Sequence, residues 1–172
     1  MFPRSANSLA RTVSSAALAF ALLLPLTESQ ANEFNGMAGA WTGTGQIAVN
    51  NNKEKLRCRA NYNVSNAGAT VDLQIRCASD SYKFDLTGGV NAINGNVSGT
   101  WSESAHGAAG EIAGTVKGGV ISARATGPYF SAHLSLRTTG NTQSVSLNSP
   151  GSQISSVTMQ LSKGGATTAA AQ

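Results

Sequence analysis

Apolar and polar residues alternate along most of this chain. "FSAHLSLR" sets Phe130, Ala132, Leu134 and Leu136 on one side, and Ser131, His133, Ser135 and Arg137 on the other. "VDLQIRC" separates Val71, Leu73, Ile75 and Cys77 from Asp72, Gln74 and Arg76 in the same way. "YKFDL" and "VTMQL" repeat the pattern with Tyr82, Phe84 and Leu86, then Val157, Met159 and Leu161. A period of two is the signature of strands with one buried and one wet face, as in antiparallel sheet. Turn signals interrupt it at "SNAG", "TGG", "NG", "GG", "GP", "TGN" and "SPG". They cut the chain into about eight to ten strands. No stretch beyond residue 32 carries a helical stripe. The connections are too short for crossover helices, so the order predicted is an up-and-down meander. A long meander exposes two edges unless it closes, which predicts an all-β barrel, closed or nearly so.

The two cysteines sharpen that picture. Folding "LRCRANYNV" onto "VDLQIRC" about Ala67–Gly68 pairs Val64 with Val71, Tyr62 with Leu73, Ala60 with Ile75 and Cys58 with Cys77. Apolar pattern and cysteine spacing arrive independently at one register. A Cys58–Cys77 disulfide is expected across this hairpin.

The same register lines Lys53, Lys55, Arg57 and Arg59 along the outer face and sets Arg59 opposite Arg76. Like charges so placed are destabilising. Two readings stand: cations that guard a strand against edge pairing, or a patch that binds an anionic envelope component.

A short unit recurs in "GNVSGTWS" and "GEIAGTVK", and more loosely in "GAWTGTGQI". Each puts a glycine, Gly99, Gly114 or Gly43, at an inward position. Such glycines either bend the sheet, with Trp41 or Trp101 packed on bare backbone, or leave a lumen for a ligand. The lumen reading nominates Trp41, Tyr62, Phe84, Gly99 and Trp101 as lining residues.

The first residues tell where the protein works. Arg4 and Arg11 precede the apolar run Ala16–Leu26, and Ser29 and Ala31 have the spacing of a signal-peptidase site. Residues 1–31 therefore read as a secretory signal peptide, whose apolar run, Ala16–Leu26, is too short to span a ~30 Å hydrocarbon core. Residues 32–162 read as one barrel domain and 163–172 as a patternless tail. The formal charge of the whole chain is only +4, which disfavours nucleic acid as a partner. A periplasmic or secreted location fits a chain with one expected disulfide.

Catalytic and metal signals are sparse. The two histidines are His106 and His133. His106 neighbours Glu103 and Ser104, but no nucleophile elbow is present and triads are assembled from distant segments. Neither a metal signature nor a phosphate loop occurs, and no cofactor is expected. The reading is an exported, non-catalytic protein binding a small apolar ligand in a barrel lumen, without a transmembrane segment in the mature chain. The alternative is an envelope-associated module using its basic face.

Gly39-Ala40-Trp41, at the start of the first strand, resembles the G-x-W opening of lipocalins and related calycin barrels. That resemblance implies a small antiparallel barrel with the tryptophan closing one end. The helix-free meander is most similar to the avidin branch of the group.

Overall fold

The computed structural model describes residues 33–164. Ten strands follow one another: β1 (Gly39–Val49), β2 (Asn52–Ser65), β3 (Thr70–Ala78), β4 (Lys83–Ile93), β5 (Asn96–Glu103), β6 (Ala108–Lys117), β7 (Val120–Gly127), β8 (Phe130–Thr139), β9 (Thr142–Asn148) and β10 (Ile154–Lys163). Each pairs antiparallel with the next, and β1 pairs with β10, closing the meander into a barrel. Lys163, placed in the tail by its lack of pattern, is the last residue of β10 and pairs with Trp41. The Gly164 N–H then donates to the Ala40 carbonyl.

Local chemistry sets the turns. Asn94-Gly95 and Asn50-Asn51 all have positive φ, between +49° and +75°. Two consecutive left-handed residues make the turn that matches the twist of paired strands, and Asn and Gly are the residues that tolerate it.

The hairpin register is the expected one. Val64 faces Val71, Tyr62 faces Leu73, Ala60 faces Ile75, and Cys58 faces Cys77. Cys58 and Cys77 are disulfide-bonded with their Cα atoms 4.2 Å apart. Met159 packs its sulfur against the bridge from β10, with Sδ 2.9 Å from Cys58 Sγ. Neither disulfide sulfur carries a proton, so this is packing and not a hydrogen bond.

The inward glycines are corners. A Cβ built on Gly43 would collide with the Gln160 carbonyl, on Gly99 with the Gly89 carbonyl, and on Gly114 with the Ser122 carbonyl. In each case the obstacle is backbone of the adjacent strand, which cannot step aside as a side chain can. Bare backbone lets the strands coil tightly enough to close. The ring lying on bare backbone is Trp101, and the glycine beneath it is Gly127, where a Cβ would sit 3.3 Å from Trp101 Cζ2.

Strand direction defines two barrel ends. One carries the short turns after β2, β4, β6 and β8, together with the segment before β1. The other carries the turns after β1, β3, β5, β7 and β9.

Candidate functional site

The segment before β1 plugs the first end. Phe34 is fully buried, its N–H bonded to the Gly68 carbonyl, and a single 3-10 turn, Asn35–Met37, tucks Met37 inside. Trp41 is fully buried as well and donates its indole N–H to the Met37 carbonyl at 2.7 Å. It meets Tyr62 edge to face at 6.5 Å, while the Lys163 ammonium lies 5.7 Å from its ring centre. Tyr62 donates to Gln143 Oε1 at 2.9 Å, and Gln143 donates in turn to Thr138 Oγ1. Burial pushes the Tyr62 phenol well above its ordinary pKa, against the smaller opposing effect of the Gln143 bond.

Above this plug the barrel holds an apolar cavity of about 280 Å³, at the small end of the ~300–1,000 Å³ typical of ligand pockets. Phe34 and Met37 form its floor and aliphatic side chains from the strands its walls. At the opposite end it meets Tyr82, Phe84, Glu103, His106, Phe130 and Ile154. Of the five residues nominated for the lumen, Tyr62, Phe84 and Trp101 line this cavity. Trp41 does not: it belongs to the plug. Gly99 does not: it is a strand corner, and its missing side chain makes room for β4 rather than for a ligand.

The mouth is the part that alternation did not disclose. Glu103, on β5, is nearly buried, and both its oxygens are fully engaged. Oε1 accepts from the Asp85 and Ala105 N–H groups at 2.9 and 3.0 Å. Oε2 accepts from the His106 N–H and lies 2.8 Å from His106 Nδ1. The His106 ring stacks on Tyr82, with centroids 4.6 Å apart and planes 7° off parallel. The Ser104 hydroxyl reaches the Asp85 carbonyl instead of His106, so Ser104, His106 and Glu103 do not form a catalytic relay.

Burial opposes ionisation of Glu103, but the N–H of Asp85, the His106 ring and the Ala105 and His106 N–H groups outweigh it. They hold the carboxyl below the usual carboxylate range. Glu54, at the start of β2, is lowered too, by the Ser79 and Ser81 hydroxyls and the Ser81 N–H. A depressed folded pKa contributes stability that is complete above the unfolded value of ~4.3 and is lost as pH falls through the folded one. The melting temperature is therefore expected to fall on the acid side of that value. Glu54→Gln/Glu103→Gln should start lower at neutral pH and decline less steeply. Parallel acid limbs in wild type and variant would overturn the assignment.

On the outside, Lys53, Lys55, Arg57 and Arg59 lie exposed along β2 as expected. Arg59 faces Arg76, also as expected. The single-sign face does not extend to β3, however. Arg76 pairs with Asp85 of β4, Nε to Oδ2 at 2.8 Å, which offsets the repulsion from Arg59. The row of four on β2 remains, with Lys83 across Ala78 from Arg57.

Among the described residues no helix is long and apolar enough to cross a membrane, and no group of three metal-ligating side chains occurs. No family model matches the chain, and no curated protein matches it. Solved structures do. Rv2717c from M. tuberculosis superposes with a TM-score of 0.60 at 16% identity, over 75% of this chain and 93% of that one. An S-type phycobiliprotein lyase, CPES, from Guillardia theta superposes with a TM-score of 0.50 at 8% identity, over 74% of this chain and 87% of that one. At these identities the likeness is one of fold: the chain is a calycin-like, closed antiparallel barrel.

Proposed function

We propose that the protein is an exported, non-catalytic binder of a small apolar ligand held in the barrel lumen. The observation that carries this reading is the apolar cavity, plugged at one end by Phe34, Met37 and Trp41 and lined at the other by aromatic rings. A barrel whose core were only structural would fill its interior with side chains to the packing density of an organic crystal. The neighbour named a lyase shares the fold at 8% identity, which transfers no reacting residue to this chain.

An apolar fluorescent probe, N-phenyl-1-naphthylamine, should bind the folded protein with about one site per chain. Ala125→Leu, which adds volume to the cavity wall, should weaken that binding about tenfold, the equivalent of ~1.4 kcal/mol. Equal binding by wild type and variant would place the probe elsewhere and defeat the lumen reading.

Export rests on the residues before the barrel, which lie outside the described ones. Asn32, or an immediate neighbour, is the expected first residue of protein recovered from the periplasm or medium of its host. A chain recovered there with residue 1 intact would defeat cleavage after Ala31.

A further inference from the structure

Nearly every polar atom lining the cavity is already committed. The Tyr62 hydroxyl is given to Gln143 and the Trp101 indole N–H to the Thr126 carbonyl. Each oxygen of Glu103 accepts two hydrogen bonds. Two groups remain, the Tyr82 hydroxyl and His106 Nε2, and their rings are stacked together at the mouth.

His106 is held in one orientation by three contacts. Its backbone N–H and its Nδ1 both meet Glu103 Oε2, and Tyr82 covers one ring face. In the neutral ring, a carboxylate at Nδ1 keeps the proton on that nitrogen and leaves Nε2 with an unshared lone pair. The cavity therefore has apolar walls and two uncommitted polar groups at its entrance: His106 Nε2, an acceptor held in place by its ring contacts, and the Tyr82 hydroxyl, which can give or take a hydrogen bond. The ionised Glu103 beside that acceptor disfavours an anionic head group, since like charges repel.

We propose that the ligand is an uncharged amphiphile: an apolar body with one hydroxyl or N–H group, seated body-first, whose donor reaches His106 Nε2. This rests on the lumen reading and adds the polarity, the charge and the orientation of the occupant.

Three compounds sharing one ring system test it: naphthalene, 1-naphthol and 1-naphthoate, each titrated at pH 7 into the folded full barrel by displacement of N-phenyl-1-naphthylamine. One added hydrogen bond should make 1-naphthol bind about two- to tenfold tighter than naphthalene, and 1-naphthoate should bind more weakly than 1-naphthol. His106→Phe keeps a ring against Tyr82 but has no acceptor. It should erase the advantage of 1-naphthol, read as the ratio of 1-naphthol to naphthalene affinity within the variant, whatever its affinity for naphthalene itself. Naphthalene bound without any preference for 1-naphthol, a preference that survives in His106→Phe, or tighter binding of 1-naphthoate would each overturn this proposal and leave the lumen reading standing. Failure of all three compounds to displace the bound probe would overturn this proposal alone, and failure of N-phenyl-1-naphthylamine itself to bind would overturn both.

Discussion

Trp41→Ala should cost the barrel about 3–5 kcal/mol, the range for removing a large buried aromatic side chain. The ring is fully buried and sits where β1 enters the barrel. Its loss leaves a void beneath the plug, strands the Met37 carbonyl that now accepts the indole N–H, and removes the surface on which Tyr62 packs. For a domain of this size the expected drop in melting temperature is on the order of 10–20 °C. Trp41→Phe retains most of the ring and forfeits mainly the hydrogen bond, so it should cost about 1 kcal/mol beyond the lost volume. Trp41 does not line the cavity, so apolar-probe affinity of the folded variant should not fall. A melting temperature within a few degrees of wild type in Trp41→Ala would mean that the plug does not hold the barrel end.

The second large effect concerns the bridge between β2 and β3. Cys58 and Cys77 are 19 residues apart in sequence, and a crosslink of that span contributes about 3 kcal/mol in the chain-entropy model. Cys58→Ala/Cys77→Ala should lower the urea midpoint by a corresponding amount. The loss should run somewhat beyond the entropic value, because the sulfurs also fill space against Met159. Reducing agent should shift the wild-type midpoint toward that of the variant and leave the variant unmoved. Oxidised protein unfolded without reductant should expose no alkylatable thiol. Two thiols per chain, or midpoints that coincide, would remove the staple from the account of stability.

Alternation along β2, β3, β8 and β10 already separated the buried face from the wet one, because adjacent strand residues point to opposite sides of a sheet and only one side is dry. The turn residues set the strand count, and Cys58 and Cys77 set the register of one hairpin. The tryptophan of Gly39-Ala40-Trp41 closes an end, as the calycin resemblance implied. Alternation reports which face a residue takes and nothing about its depth along the barrel axis. Trp41, Tyr62, Gly99 and Trp101 are all inward, yet Trp41 lies in the plug, Gly99 at a corner, and only Tyr62 and Trp101 beside the cavity.

Tertiary structure alone decided three matters. The Arg76–Asp85 pair depends on the register of β3 with β4, and no cysteine pair marks that register. Phe34 and Met37 precede the first strand and follow no period, so only the closed end of the barrel shows them to be its floor. Tyr82, Glu103 and His106 come from the turn after β3, the end of β5 and the turn after β5. In the sequence they are a tyrosine at a strand edge and an acid near a histidine. Curling the sheet brings the two turns together, stacks the rings and buries the carboxylate among backbone donors, and the mouth exists only then. Periodicity is a property of a few consecutive residues, whereas a site at the end of a barrel depends on how separate hairpins are arranged around its axis.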